Sequence, residues 1–289
     1  MKLIHMSDIH LTIPGERIRD VDPHRRLRQA FDHVARHHAD ADRIVVTGDL
    51  SHWAERPAYE ALARFVADSP VPVRLMIGNH DDRATFLAVF PDQATDENGY
   101  VSYTETVEGR HLIYCDTTMP ETHVGHLGPD RLNWLEARLQ DAQAGAYLFF
   151  HHHPGAVQLA STDAIGMAAH DRAALRALLG TYRDRIRHMF FGHTHLTISG
   201  TLAGVPFAGV RSTVHQGLPD FSGSGDLLGG RLDPYYAVVL AGDDATVVHQ
   251  IPFTYDGPVS RHGTAWNDWS KAASRASRSS ARQPESFGD

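Results

Sequence analysis

One cysteine, Cys115, in 289 residues excludes an internal disulfide framework and any thiolate cluster around a metal. Lysine is nearly as scarce: only Lys2 and Lys271 occur, so a Gly-Lys-Ser/Thr phosphate loop is ruled out. No apolar run approaches the roughly 20 residues that span a bilayer, so no membrane partner is expected. The chain enters directly on a strand-like Met1–Met6, without the marks of a secretory signal, and a soluble cytoplasmic protein is the expectation. Positive charge is in deficit, with 27 Lys and Arg against 35 Asp and Glu, a net charge of −8. That balance argues against a nucleic-acid polymer as partner, since phosphate contacts call for a basic patch. No Gly-x-Ser-x-Gly elbow supports a serine hydrolase. Histidine, by contrast, is abundant at 21 residues, and imidazole serves both as metal ligand and as acid or base.

Short β-type runs alternate with helical patterns over the first two-thirds of the chain. Strands are expected at Leu3–Met6, Arg43–Val46, Val73–Ile77, Ala146–Phe150 and Arg187–Phe191. A helix starts at Asp22-Pro23, a capping carboxylate followed by proline in the first turn, and carries Leu27, Ala30, Phe31 and Val34 on one face. Further helices are expected at Pro57–Ala67, from Gly128 through Leu139, and at Asp171–Leu179. Tyr100–Glu105 and His111–Cys115 read as a hairpin turning at Glu108-Gly109. Leu196–Leu202, Val205–Val210, Tyr235–Ala241 and Ala245–Ile251 look like antiparallel strands, interrupted by a Gly/Ser/Asp-rich loop at Ser212–Asp233. One catalytic domain is expected over 1–256. The pattern fades from Gly257 and Ser270–Asp289 is Ser/Arg/Ala-rich, so 257–289 reads as an extension that is partly disordered or in contact with a subunit, with Trp266 and Trp269 pinning its start to the domain or to a neighbouring subunit, and a homo-oligomer is an expectation.

Five segments share one design, in which an apolar strand is followed by glycine, serine or histidine and then by polar ligands: Ser7-Asp8-Ile9-His10, Gly48-Asp49, Gly78-Asn79-His80-Asp81, His151-His152-His153-Pro154 and Gly192-His193-Thr194-His195. In α/β sheets, sites form just beyond the carboxyl ends of strands, so these five ends can meet in one crevice. Positions i and i+2 of extended chain point to the same side, pairing Asp8 with His10 and His193 with His195. Any one segment reads equally well as a turn. Together they would crowd polar groups with nothing to compensate them, unless a metal does so. The nitrogen and oxygen donors suit Mn, Fe, Zn or Co. Asp8, His10, Asp49, Asn79, His152, His193 and His195 exceed the three protein ligands of a mononuclear catalytic site, so two divalent cations are expected.

The ordered set Asp-x-His, Gly-Asp, Gly-Asn-His-Asp, His-x-Pro and Gly-His-x-His, running from Asp8 to His195, resembles the calcineurin-like metallophosphoesterases. Within them the Gly-Asn-His-Asp-Asp-Arg run at 78–83 is similar to that of class III cyclic-nucleotide phosphodiesterases and bacterial glycerophosphodiesterases. The resemblance implies an α/β fold, a four-layer α/β/β/α sandwich of two mixed sheets flanked by helices. It also implies a metal-dependent phosphodiesterase acting on a small phosphodiester by attack of a metal-bound hydroxide. One cation would sit on Asp8, His10, Asp49 and His195, the other on Asp49, Asn79, His152 and His193. The histidine two before proline is His152, preferred on that ground to His151. His80 would protonate the leaving oxygen, and Asp81 either orients its ring or serves a turn.

Other residues carry two readings each. Arg83 reads as a phosphate contact or as a partner of Asp82, and His215 as a substrate contact or as hairpin closure. His52 reads as a pocket or a loop residue, while His33 and His37 read as a solvated helix face and Cys115 as core. A phosphomonoesterase, or a metal-binding protein without turnover, are the alternatives. The second is disfavoured because a metal store has no use for His80.

Overall fold

The computed structural model describes residues 1–142 and 145–260. The chain divides into two units, Met1–Thr254, which holds every helix and strand among the described residues, and Tyr255–Asp289. The expected extension, including Trp266 and Trp269, falls largely outside the described residues.

Thirteen strands occur among the described residues. Five form one sheet: β1 (Lys2–Met6), β2 (Arg43–Thr47), β3 (Val73–Met76), β12 (Tyr235–Ala241) and β13 (Thr246–Pro252), in the order β13-β12-β1-β2-β3. Six form the other: β4 (Tyr103–Val107), β5 (Arg110–Cys115), β6 (Ala146–Phe150), β7 (Ile186–Phe191), β8 (Ile198–Leu202) and β9 (Val205–Gly209), ordered β4-β5-β6-β7-β9-β8. Both sheets are mixed. β1, β2 and β3 run parallel in one, and β5, β6, β7 and β9 in the other, with antiparallel strands at the edges.

Side-chain alternation builds three cores. Leu3, Val45 and Met76 from one sheet meet Tyr114, Phe149 and Phe190 from the other, an apolar layer between the sheets. The intervening residues face outward. Ile4, Met6, Ile44 and Val46 pack on helices α1 (Pro23–His37) and α2 (Arg56–Asp68) through Leu27, Phe31, Val34 and Leu62. Leu148 and Phe150 pack on α4 (Gly128–Asp141) and α6 (Ala169–Tyr182) through Leu135, Leu139, Leu175 and Leu179. The result is the four-layer α/β/β/α sandwich.

Local chemistry sets the element ends. The Asp22 carboxylate accepts the Arg25 N–H and Pro23 opens α1. Glu108 and Gly109, at φ 49° and 74°, close the β4–β5 hairpin. Two helices were not expected: α3 (Arg83–Val89), capped by Asp82, and the single-turn α5 (Ala160–Ala164). The segment expected as a loop at Ser212–Asp233 contains a small hairpin, β10 (Gln216–Leu218) with β11 (Leu228–Gly230).

Candidate metal centre

The parallel strands β1, β2, β3, β6 and β7 all end at the same edge of the sandwich, and the chain turns sharply after each. Asp8, His10, Asp49, His193 and His195 hold φ between 42° and 63°, a region that non-glycine residues seldom occupy. The glycines make room for them. A Cβ on Gly78 would overlap the Asp49 backbone and carboxylate, and one on Gly192 would overlap Ser7 and Asp8.

These turns bring together Asp8, His10, Asp49 and His195, each offering a ligand atom within 4.8 Å of the others. The His195 Nδ1–H donates to the His215 carbonyl at 2.8 Å, which leaves the Nε2 lone pair 3.3 Å from Asp8 Oδ1 and 3.2 Å from His10 Nε2. His10 Nε2 lies 3.6 Å from Asp49 Oδ2. Burial opposes charge on His195, but the Asp8 and Asp49 carboxylates outweigh it and raise its pKa above the ordinary histidine value. Burial, together with the surrounding imidazoles, holds His10 well below that value, neutral and able to coordinate.

A second cluster lies beside it. The His193 Nε2–H donates to the Ile165 carbonyl at 2.9 Å, turning Nδ1 to within 2.8 Å of Asn79 Oδ1. The Asn79 amide nitrogen is 2.8 Å from His123 Nδ1, which directs Oδ1 into the cluster. The His151 Nδ1–H donates to the Thr47 carbonyl at 2.8 Å, placing Nε2 3.0 Å from Asn79 Oδ1 and 3.3 Å from Asp49 Oδ1. Four lone-pair-bearing atoms thus converge, His193 Nδ1, Asn79 Oδ1, His151 Nε2 and Asp49 Oδ1, an arrangement that is repulsive unless a cation lies among them.

His151 and His152 both stand at this cluster, and they are held differently. The His152 Nε2–H donates to the His123 carbonyl at 3.1 Å and its Nδ1 is 2.8 Å from Thr117 Oγ1, so both ring nitrogens are engaged. His152 remains within ligand range of His151 and His193, yet the ring aimed at Asn79 and Asp49 is that of His151. Motif spacing favours His152; the carbonyl of Thr47, invisible in a linear motif, orients its neighbour.

His80 lies at the side of the cluster. Its backbone N–H donates to Asp49 Oδ1 at 2.9 Å and its Nδ1–H to the His52 carbonyl at 2.8 Å, while its ring stacks on His52. Nε2 is the ring nitrogen left without a hydrogen-bond partner among the described residues, and His80 lines the cavity above the clusters. Asp81 does not orient this ring. Its carboxylate accepts the N–H groups of Leu50, Ser51 and Gly78 and the Tyr59 hydroxyl, all within 3.0 Å, and so ties the β2 and β3 turns together. Burial and the nearby Asp49 push its pKa up to about 6, against the pull of those amides.

Arg83 is also placed differently from either expectation. Its guanidinium bonds Asp116 at 2.8 and 3.0 Å and the Thr118 hydroxyl at 2.8 Å, while Asp82 caps α3 on Thr85. His215 does reach the site, its ring 4.4 Å from that of His195, and burial beside His195 lowers its pKa to about 3.

Above the two clusters is a cavity of about 320 Å³. His10, Asp49, Asn79, His193 and His195 form its floor, and Ile165, Leu196, Leu218 and Leu228 give it an apolar wall. His52 lines it too, with Arg19 and His123, which sequence reasoning passed over. Arg19 sits in an irregular loop and His123 in the segment between β5 and α4, and no motif marks either.

Residues 1–196 match the calcineurin-like phosphoesterase family. The chain belongs to that family. It is 37% identical over 263 residues to a probable cyclic nucleotide phosphodiesterase of Rhodopseudomonas palustris, an alignment spanning 90% of this chain and 95% of the relative. It is 29% identical to the 3′,5′-cyclic adenosine monophosphate phosphodiesterase of Pseudomonas aeruginosa, over 84% of this chain and 86% of that one. The fold is similar to that of a purple acid phosphatase from yellow lupin, with a TM-score of 0.61 at 14% identity, covering 90% of this chain and 52% of the lupin chain. The phosphoesterase is thus a metal-dependent hydrolase by family, and no helix among the described residues is long and apolar enough to cross a membrane.

Proposed function

We propose that this phosphoesterase hydrolyses small phosphodiesters at two divalent cations, with 3′,5′-cyclic nucleotides the first substrate class and glycerophosphodiesters the second. The observation carrying this reading is the convergence of lone pairs, from tautomers set by backbone carbonyls, on two adjacent points beneath one cavity. Asp8, His10, Asp49 and His195 would hold one cation. Asp49, Asn79 and His193 would hold the other with His151, the neighbouring His152 being the motif's own choice. The donor set fits Mn, Fe, Zn or Co. Such ions, when bound, neutralise phosphoryl oxygens and make a hydroxide nucleophile available near neutral pH.

The chain supplies the rest. His80, with Nδ1–H fixed on the His52 carbonyl, presents Nε2 to the leaving oxygen and, as the imidazolium, gives it the Nε2 proton and returns to the neutral ring. His215 contacts the substrate beside His195. The apolar wall excludes water and receives an organic group of the ester, which favours a diester that carries such a group on either side of phosphorus. A cavity of about 320 Å³ suits a nucleotide-sized ligand.

The test is a panel of 3′,5′-cAMP, 2′,3′-cAMP, glycerophosphodiesters and p-nitrophenyl phosphate, run with each metal. Diesters are expected to be cleaved best; a strong preference for the monoester would replace this reading by a phosphomonoesterase. His80→Ala is expected to keep its metal while kcat falls by roughly 10²–10⁴.

A further inference from the structure

Away from the floor of the cavity, another group of ligand atoms closes on itself. His126 lies in the segment between β5 and α4, and His170 and Asp171 lie in the first turn of α6. Their ligand atoms are mutually within 4.8 Å. His126 Nδ1 is 3.5 Å from Asp171 Oδ2, and His170 Nε2 is 3.4 Å from Asp171 Oδ1. Two ligands bound at about 2.0–2.2 Å in a tetrahedron stand about 3.3–3.6 Å apart, so each imidazole stands at ligand spacing from one oxygen of the Asp171 carboxylate, and a cation between them would draw the two rings together.

The carboxylate is held in place for such a role. Asp171 is buried, and its oxygens accept the backbone N–H groups of Leu127 and Gly128 at 3.0 and 3.1 Å. Those bonds fix its orientation, as hydrogen bonds to a coordinating carboxylate do, and they leave a lone pair on each oxygen for a cation. His170 is exposed and His126 partly so, which gives a cation and its remaining water ligands access from solvent.

We propose that His126, His170 and Asp171 form a third cation site, distinct from the catalytic pair, taking a borderline transition-metal ion such as Zn(II) or Ni(II). Two imidazoles and one carboxylate match that class, and the absence of a second carboxylate disfavours Ca(II) or Mg(II).

Its place in the fold gives it a mechanical consequence. The segment carrying His126 is already laced to residues ahead of α6, through Gly125 N–H to the Gly166 carbonyl at 3.1 Å and Ala168 N–H to the Gly125 carbonyl at 2.8 Å. Gly125 lies against the His152 ring, and His123, three residues before His126, meets both Asn79 and His152. Ser161, Thr162 and Ile165, just ahead of α6, line the cavity. A cation binding all three ligands therefore clamps two walls of the cavity together without touching substrate.

The experiment saturates the full chain with Zn(II), removes loose metal by desalting and counts bound zinc for wild type, His170→Ala and His126→Ala. Amide hydrogen exchange is followed at 117–127 and 160–168. His170 is exposed, so its truncation is a mild perturbation. Each variant is expected to carry one equivalent fewer than wild type. Its affinity at that step should fall at least by the roughly 10–100-fold that follows from losing a ligand's supporting partner. Zinc should slow exchange in both segments of wild type but not of the variants. Equal zinc content in all three proteins overturns the proposal. So does a loss in His170→Ala that comes with loss of the catalytic metals, read as lost phosphoesterase turnover.

Discussion

Asp81 shows how the fold decides between two roles that one motif residue offers. Adjacent to His80, it reads either as the carboxylate that orients the ring or as a turn residue; in the fold its carboxylate holds three backbone N–H groups and a tyrosine hydroxyl, the turn role. Asp81→Asn puts a donor where donors already converge, and each buried N–H left without an acceptor costs about 1–3 kcal/mol. The expected outcome is a clear drop in thermal stability with kcat falling only as far as the β2 and β3 turns loosen. Unchanged unfolding with a large loss of kcat would instead return Asp81 to the service of His80. His151 and His152 pose a similar question. The geometry expects the larger loss of bound metal from His151→Ala, and the reverse order, measured by elemental analysis, would return the ligand to His152. The ligand types and the five converging segments were legible because each lies within a few residues of a strand end. The Thr47, His52 and Ile165 carbonyls that set the ring tautomers were not, because a backbone acceptor leaves no mark on residue identity.

At the scale of elements, periodicity revealed the long helices and central strands, since Leu27, Phe31 and Val34 or Leu135 and Leu139 repeat at the helical interval and face a core. What it missed is short. α3 spans seven residues behind a capping Asp82, too few to show a period, and the β10–β11 hairpin has three-residue strands rich in glycine. That hairpin matters for binding, because Leu218 and Leu228 stand beside one another in it and line the cavity. Both are more than a third exposed, so neither holds the core together. The double variant Leu218→Ser with Leu228→Ser is expected to fold normally and retain its metal. Its KM for the organic diester should rise by roughly tenfold, since about 1.4 kcal/mol of lost uniform binding is a factor of ten. A change in kcat with KM unaffected, in steady-state assays, would place these leucines outside the binding surface.

For the molecule as a whole, the layer between the sheets couples stability to pH. His5 faces into it from β1, its Nε2 2.9 Å from Thr47 Oγ1 and its ring edge-on to Phe149 and Phe190. Burial lowers its pKa to about 3, with Asp8 opposing and His188 adding to the depression. The folded chain therefore leaves His5 neutral through a range in which the unfolded chain, near 6.5, takes up a proton. More protons bound by the unfolded state means that stability rises with pH, so the contribution is complete above about 6.5 and is lost progressively as pH falls toward about 3. His188, lowered by burial on the same side of β7, adds to this in the same direction. His5→Gln retains a polar side chain beside Thr47 but cannot titrate. In denaturant unfolding with a chelator present, so that cation release adds nothing, its free energy should depend less steeply on pH between about 3 and 6.5. The difference from wild type should approach, at most, the roughly 1.4 kcal/mol per pH unit that one proton contributes. Parallel curves for the two proteins would mean that His5 takes its proton equally in both states, and the acid sensitivity would then have to come from the histidines of the metal centre.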